Sequence, residues 1–334
     1  MEVRVATQEL VQPQADAVER FRIELDALID PQAPVGIAVS GGPDSLALLA
    51  LAAAARPGLV EAATVDHALR AESRSDADMV ARVAKVLGVP HRTLTVEWAV
   101  KPESAIQERA RAERYKLLAG WAKAQGLQAI VTAHHLDDQA ETFMMRLARG
   151  AGVQGLAAMR SLAPVPGSDL PLLRPLLAWR RSELESVCNA FGLTPVDDPS
   201  NADAQFERVR VRQGISGAGW IDPRGVAASA RNLAEADGAL RWATTRAWER
   251  SVVQDGRAIT FTPADTPREI RRRIVIRAVS KLATEGQANE LRGRELDRVV
   301  GALARGGKAT IRGVLCSGGR EWRFSTAPAR KLSR

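Results

Sequence analysis

Apolar and polar positions in the first part of the chain predict strands and helices in alternation. Residues 35–39 form a short apolar run rich in β-branched side chains, the pattern of a buried strand. Residues 15–30 instead carry apolar side chains at helical spacing, which predicts an amphipathic helix before that strand. The alternation then continues, with predicted strands at 62–65, 91–96 and 129–132 and predicted helices at 44–55, 75–87 and 104–125.

This order of elements predicts an α/β fold, a doubly wound, Rossmann-like parallel sheet with helices on both faces. Ligands of such sheets bind at the carboxyl ends of the strands. Three polar segments follow predicted strands, so we expect them at that edge of the sheet: residues 40–45, Asp66 with His67, and residues 134–138.

The second half of the chain has a different pattern. Residues 160–175 contain four prolines, which predicts an irregular connection, and a helix is predicted over 179–191. A Gly-rich stretch at 214–219 predicts a boundary between a larger domain, 1–215, and a smaller α+β domain, 216–334. In the smaller domain we expect helices at 225–252, 266–283 and 289–304, strands at 257–262, 308–312 and 320–324, and a hairpin turn at Ser317-Gly318-Gly319.

Charge divides the chain in the same way. Residues 201–334 hold 26 Lys and Arg against 14 Asp and Glu, whereas the first 200 residues hold 21 against 25. The basic surplus at the C-terminal end is typical of a part that binds a polyanion such as RNA. Arginine-rich, solvated helix faces explain the same counts, and charge alone does not separate the two interpretations.

Cysteine content and hydropathy exclude several classes of protein. Cys188 and Cys316 are far apart and form no Cys-x-x-Cys pair, so a disulfide framework or a zinc site is not expected, and both are predicted to be buried. The N-terminal segment lacks the apolar core of a signal peptide, and the apolar run 46–55 is too short to cross a bilayer. We expect a cytoplasmic protein without a membrane partner.

The segment after the first strand has the features of a phosphate-binding loop. Two glycines allow backbone N–H groups to approach an anion at a helix N-terminus, and two serine hydroxyls flank them. The acid in this loop would repel a bare phosphate, so it indicates a bridging Mg²⁺. A simple turn with a capped helix is the alternative. The lysine of a Walker loop is absent from Ser40-Gly41-Gly42-Pro43-Asp44-Ser45.

Two further segments carry candidate catalytic residues. Asp138 and Glu141 share a helix face and suit metal binding or general base catalysis, although helix-start acids are common for electrostatic reasons alone. Arg111 and Arg114 also share a helix face, where the alternative is a solvated helix with Glu–Arg pairs. Arg149 could meet phosphate or RNA, or belong to a helix C-cap and loop.

The phosphate loop resembles that of the N-type ATP pyrophosphatases, which cleave ATP between its α and β phosphates. Taken with five later segments, the chain resembles one branch of that group, the tRNA(Ile)-lysidine synthetase family, in a short form without a further C-terminal domain. The later segments are Val65–Arg70, Ala110–Tyr115, His134–Thr142, Arg149–Leu156, and Arg174–Leu176 with Asp198–Asn201.

The resemblance implies a reaction and its participants. The substrates would be ATP, free L-lysine and tRNA(Ile) with a CAU anticodon, with Mg²⁺ as cofactor; AMP and pyrophosphate would be released. The larger domain would be catalytic and the smaller, basic domain would bind tRNA. A homodimer is left open. The roles implied are adenosine binding for Asp66 and His67, metal binding for Asp44 and Asp138, charge stabilisation for Arg111 and Arg114, base, metal or lysine binding for Asp138 and Glu141, and tRNA binding for Arg149, Arg208 and Arg212.

One departure and three rivals accompany this interpretation. Val209 stands where the family usually has Asn, between Arg208 and the residues that follow. A tRNA thiolating enzyme of the same fold commonly needs paired cysteines, which Cys188 and Cys316 do not form. An amidotransferase would need a further glutaminase domain. A non-catalytic RNA-binding module would have no need of Asp44, Asp138 and Glu141.

Overall fold

The computed structural model describes residues 12–68, 73–98, 106–196, 203–256, 258–283 and 293–327. Its contacts divide the chain into two compact units, one of Met1–Gly150 with Gly155–Arg231 and one of Ala151–Gln154 with Asn232–Arg334. The functional division predicted between residues 215 and 216 remains a prediction. Among the described residues, no helix combines the length and apolar character needed to cross a bilayer.

The first unit is built on a six-stranded sheet in the order β3-β2-β1-β4-β6-β5. The first five strands in this order run parallel and β5 is antiparallel to β6. The predicted doubly wound α/β sheet is thereby confirmed, with β1 and β4 adjacent where the strand order reverses. The strands are β1 Val35–Ala38, β2 Val60–Asp66, β3 His91–Thr95, β4 Ala129–Val131, β5 Leu162–Pro164 and β6 Pro171–Leu173.

Helices cover both faces of this sheet. One face buries apolar side chains of α1, α2, α3 and α7, and the other buries α4 through Tyr115, Leu118 and Trp121. These buried faces explain the apolar spacing seen in the sequence. The helices of the unit are α1 Gln12–Asp26, α2 Pro43–Ala55, α3 Ser73–Val86, α4 Ile106–Ala124, α5 Leu136–Ala148, α7 Arg181–Ala190 and α8 Glu207–Gly217, with a 3-10 turn at Pro175–Ala178; the short helix α6 Val153–Leu156 has residues of both units.

One expectation for this unit was wrong. The proline-rich stretch 160–175 is not irregular throughout, because β5 and β6 extend the sheet there. Pro164 and Pro171 lie at the ends of these strands, where a missing N–H breaks no internal ladder bond. Pro166 and Pro175 lie outside the strands.

One close approach sets the distance between α4 and the sheet. Gly36 lies in β1 beneath Trp121 of α4, and a Cβ atom at Gly36 would be 2.7 Å from the indole Cζ3. Only glycine leaves room for the indole, which is itself buried. The helix that carries Arg111 and Arg114 therefore lies directly on the backbone of β1.

The second unit contains a five-stranded antiparallel sheet in the order β7-β8-β11-β10-β9. Its core joins this sheet to α10 and α11, with Phe261 and Trp322 in edge-to-face contact at 5.7 Å. The predicted smaller α+β domain is confirmed. The elements are α9 Pro223–Ser251, β7 Val252–Asp255, β8 Ala258–Phe261, α10 Arg268–Leu282, α11 Gly293–Ala304, β9 Lys308–Ile311, β10 Val314–Ser317 and β11 Trp322–Thr326.

Candidate active site

The loop after β1 has the geometry of an anion cradle. Gly41 adopts a positive φ of 90°, and Gly42 is the N-cap of α2, with Pro43 in its first turn. The hydroxyl of Ser40 donates to Ser45 Oγ at 3.2 Å, and Ser45 Oγ donates to the Gly42 carbonyl at 2.9 Å. Backbone N–H groups and two hydroxyls therefore gather at a helix N-terminus, the arrangement that binds phosphate.

Neighbouring elements hold this loop in place. The Val196 amide donates to the Gly41 carbonyl at 3.0 Å, and the Cys188 thiol donates to the Pro43 carbonyl at the same distance. Burial raises the pKa of the Cys188 thiol to about 11. Cys188 and Cys316 are both buried and free, as predicted.

His135, at the N-terminus of α5, lies between three carboxylates. Its Nε2 is 3.4 Å from Asp44 Oδ2 and 3.6 Å from Asp138 Oδ2, and its Nδ1 is 3.7 Å from Asp137 Oδ2. The side chain is completely buried, and neither ring nitrogen nor Asp44 Oδ1 has a well-formed hydrogen bond. Burial lowers the pKa of His135, but Asp44 and Asp138 outweigh it and raise the pKa overall.

The position of His135 joins two segments that are far apart in sequence. Because Asp44 and Asp138 contact the same ring nitrogen, the loop acid and the α5 acid lie at one point of the sheet edge. The two acids were expected at one edge of the sheet from their positions after strands, whereas His135 was not among the candidate residues. The pair His134-His135 ahead of a helix was the signal that could have identified it.

The two candidate catalytic acids are paired with arginines of α8. Arg208 donates from Nη2 to Asp138 Oδ1 at 2.6 Å and from Nε to Glu141 Oε2 at 2.5 Å. Arg212 donates from Nε to Glu141 Oε1 at 2.7 Å. Both oxygens of buried Glu141 are therefore occupied, and two negative charges face two positive ones.

Neighbouring charges favour the ionised forms of Asp138 and Arg208. Burial raises the pKa of Asp138, but the positive charges of His135 and Arg208 outweigh it and the pKa is lowered. Arg208 has the complementary shift, since Asp138 and Glu141 overcome the loss of hydration and raise its pKa. Val209, which departs from the family pattern, directly follows Arg208 in α8 and is buried.

A second group of candidates lies on the α4 side of the sheet edge. Arg114 Nη2 is 3.4 Å from His67 Nε2, and the His67 carbonyl accepts a hydrogen bond from the Trp98 indole. Burial and then the charge of Arg114 lower the pKa of His67, although Asp66 opposes them. The Arg111 guanidinium lies 5.0 Å from the centre of the Tyr115 ring. The structure therefore brings Arg111 and Arg114 to the edge where Asp66 and His67 end β2.

His134 lies near Asp138 and near several arginines of the site. Its Nδ1 is 2.9 Å from the Thr132 hydroxyl. Burial, reinforced by the positive charges of Arg174, Arg208 and Arg111, lowers the pKa of His134 to about 4, although Asp138 opposes the shift. This imidazole is consequently neutral at pH 7.

A cavity of about 260 Å³ opens beside the acids within the first unit. It is lined by Asp137, Glu141, Arg180 and Arg212 and by apolar side chains that include Ile215. Arg180 Nη2 lies 3.0 Å from Asp137 Oδ1, so this wall has paired charges of both signs. Asp137 and Arg180 could not be identified from the sequence, because their pairing depends on a contact between α5 and the residue before α7.

The remaining candidates lie elsewhere or outside the described residues. Arg149 is exposed and forms an ion pair with Glu207. Arg70 and the segment Asp198–Asn201 fall outside the described ranges. Among the described residues, no group of three or more His, Cys, Asp or Glu side chains is arranged to hold a metal ion.

The sheet, the glycine loop and the acids behind it define an ATP-binding domain of the PP-loop class. The PP-loop domain family matches residues 15–218, which is more than half of the chain. Relatives of high similarity narrow the class further. A tRNA(Ile)-lysidine synthase of Novosphingobium aromaticivorans is 47% identical over 95% of this chain and 96% of its own.

A second tRNA(Ile)-lysidine synthase, from Zymomonas mobilis, is 41% identical over 89% of each chain. The chain belongs to the tRNA(Ile)-lysidine synthase family, and it is an ATP-dependent ligase of the PP-loop class. A solved structure of the U34-tRNA thiolase NcsA from Methanococcus maripaludis covers 70% of this chain and 85% of its own, with a TM-score of 0.53. At 16% identity that likeness extends to the fold alone.

Proposed function

We propose that the protein ligates free L-lysine to C2 of the anticodon wobble cytidine of tRNA(Ile), using ATP. The observation that carries the proposal is the meeting of the phosphate loop and the α5 acids at His135. It supports the proposal because the loop that would bind ATP phosphates and the candidate catalytic carboxylates lie within one small region. The reaction needs both, because an adenylated base must react with an amine without leaving the enzyme.

Mg²⁺ would be held by Asp44 and Asp138 together with phosphate oxygens of ATP. The fit rests on Asp44 Oδ1, which is buried without a partner, and on the proximity of the two carboxylates. Two protein carboxylates completed by phosphate oxygens are a common magnesium arrangement. When bound, the ion would neutralise charge on the phosphates that leave.

Activation of the cytidine would occur on the arginine side of the site. The C2 oxygen attacks the α-phosphate of ATP, AMP is transferred, and pyrophosphate remains in the loop Ser40–Ser45. Negative charge develops on the α-phosphate, where the guanidinium groups of Arg111 and Arg114 would stabilise it. Asp66 and His67 would flank the adenosine.

Lysine transfer would use the acidic side. The ε-amine has a solution pKa of about 10.4 and must lose a proton before it attacks C2 and displaces AMP. Asp138 or Glu141 would accept that proton or bind the ammonium group. Both acids are paired with Arg208 and Arg212 in the described state, so lysine must compete with these arginines for them.

The second unit would hold the tRNA through phosphate contacts and stacking. Trp242 of α9 is 66% exposed, and the guanidinium of Arg246 lies 5.6 Å from its ring centre. Exposed Trp and Arg pairs of this kind suit unpaired bases and the RNA backbone. Trp248, by contrast, packs against the core of the unit beneath Arg277. Arg149, Arg208 and Arg212 remain predicted tRNA contacts.

The test is transfer of labelled lysine to unmodified tRNA(Ile) in the presence of Mg-ATP. We expect label in tRNA(Ile) with a CAU anticodon and none in a transcript whose wobble base is uridine. Asp138→Asn should abolish transfer, because it removes a charge needed by both the metal and lysine interpretations. A folded wild-type protein that binds the tRNA but transfers no lysine would identify an RNA-binding module instead.

A further inference from the structure

Arg174 is a buried arginine at the carboxyl edge of the sheet. It follows β6 and is only 7% exposed. Its Nη1 donates to the Arg160 carbonyl at 2.7 Å, and its Nε is buried with no hydrogen-bond partner. Among the described residues it forms no ion pair with a carboxylate. Burying a charge without a counter-ion is costly, so a purely structural origin is a poor explanation.

The surroundings of Arg174 are positive. The guanidinium lies near Tyr115, the same side chain over which Arg111 lies at 5.0 Å. Loss of hydration, and the charge of Arg111 after it, lower the pKa of Arg174, although Tyr115 opposes the shift. Arg111 and Arg114 likewise form no carboxylate ion pair within the described ranges. Arg111, Arg114 and Arg174 thus all lie near Tyr115, and Arg111 and Arg174 also lie near neutral His134.

The contrast with the other side of the site is informative. Arg208 and Arg212 are neutralised by Asp138 and Glu141, whereas no carboxylate within the described ranges pairs with Arg111, Arg114 or Arg174. A charge that the protein leaves uncompensated at a ligand-binding edge is suited to an anion supplied by the ligand. The chemistry that fits a fork of guanidinium groups is a phosphate ester.

We propose that Arg174 is a positioning residue of a phosphate site formed with Arg111 and Arg114. It lies beside Tyr115, whose ring contacts Arg111, and it adds a positive charge that no carboxylate of the described residues pairs with. The inference rests on the proposed function, which supplies two phosphate sources, the α-phosphate of ATP and the backbone of the tRNA. Arg174 follows β6 at the carboxyl edge of the sheet, so the ATP phosphate and the tRNA phosphate would both approach it from that edge.

The experiment compares unfolding temperature with ligand affinity in four variants. Arg174→Met removes the charge, Arg174→Lys keeps the charge without the planar fork, and Tyr115→Phe keeps the guanidinium but removes the hydroxyl beside it. Arg82→Met, at an exposed position of α3, is the matched control. Dissociation constants are measured separately for Mg-ATP and for an anticodon stem-loop RNA, neither of which requires lysine transfer.

We expect Arg174→Met to unfold at or above the wild-type temperature, because an unpaired buried charge is removed. Its affinity for one of the two ligands should fall at least about tenfold, the loss expected for one charge-assisted hydrogen bond. Arg174→Lys and Tyr115→Phe should each lose part of that affinity, and Arg82→Met none. Whichever ligand is weakened identifies the source of the phosphate.

The inference is overturned if Arg174→Met binds both ligands within twofold of wild type. If Arg174→Met does not fold, the other two variants decide: wild-type affinity in both overturns the inference, and a loss of threefold or more in either folded variant supports it. A protein that binds ATP and RNA through Arg174 yet transfers no lysine would refute the proposed function while leaving this inference standing.

Discussion

Glu141→Gln should destabilise the first unit even though it only replaces one carboxylate oxygen by an NH₂ group. The buried carboxylate accepts hydrogen bonds from Arg208 Nε and Arg212 Nε, at 2.5 and 2.7 Å. A neutral amide can accept from one of these guanidinium groups but presents an N–H₂ group to the other. The substitution therefore leaves one arginine facing a donor and removes the charge that both arginines use.

The magnitude follows from the exposure of the partners. Hydrogen bonds to charged groups contribute about 1.5–3 kcal/mol each when well protected. The side chains of Arg208 and Arg212 are 41% and 29% exposed, so solvent screening reduces each contribution. We take about 1 kcal/mol for each bond, which gives roughly 2 kcal/mol of lost stability. For a unit of this size that is a fall of about 6 °C in melting temperature.

Urea unfolding followed by far-UV circular dichroism measures this difference. Glu207→Gln is the matched control, since Glu207 pairs with Arg149 on the surface and should change stability by less than about 0.5 kcal/mol. Adding Arg212→Met to Glu141→Gln should restore part of the loss, because the unpaired guanidinium is removed. If Glu141→Gln unfolds like the Glu207→Gln control, the pairing of α5 with α8 is not an energetic feature of the fold.

Three further predictions concern packing, thiol chemistry and RNA. Gly36→Ala should lower the free energy of unfolding by about 1–3 kcal/mol, because the added methyl group forces Trp121 away from the sheet. Gly120→Ala has open space at its Cβ and should stabilise α4 by roughly 0.5–1 kcal/mol. Thermal melts in which Gly36→Ala is the more stable variant would contradict the packing argument. Burial raises the pKa of the Cys316 thiol to about 12 and that of Cys188 to about 11, so neither should react with a thiol reagent at pH 8 until urea unfolds the protein. Trp242→Ala should weaken tRNA binding about tenfold by loss of stacking while leaving the KM for ATP unchanged, and unaltered tRNA binding in a filter assay would exclude stacking there.

The sheet and the phosphate loop could be predicted because their signals are local. An apolar run such as 35–39, followed by two glycines and a helix, specifies strand, turn and helix without long-range information. The short strands β5 and β6 escaped prediction because they have three residues each and contain or adjoin prolines. Helix α8 escaped because Arg208–Arg212 alternates Arg and Val, a pattern typical of a strand.

The residues of the candidate site also differ in how far they could be predicted from the sequence. Asp44 and Asp138 were predicted to converge because both follow strands whose carboxyl ends share an edge. The partners of the acids were not predicted, since Arg208 and Arg212 reach Glu141 across 67 and 71 residues of sequence. The exposure of Trp242 could not be predicted either, because a lone aromatic residue on a helix usually faces the core.

The contact between Gly36 and Trp121 has a consequence for how variants of this protein should be interpreted. Helix α4 carries Arg111 and Arg114, and β1 leads into the phosphate loop. The contact between the Trp121 indole and the Gly36 backbone therefore sets the distance between these arginines and the loop. A methyl group added there would move the arginines without touching any substrate. In a mutational scan, loss of activity at position 36 would resemble a catalytic defect while its origin is mechanical alignment.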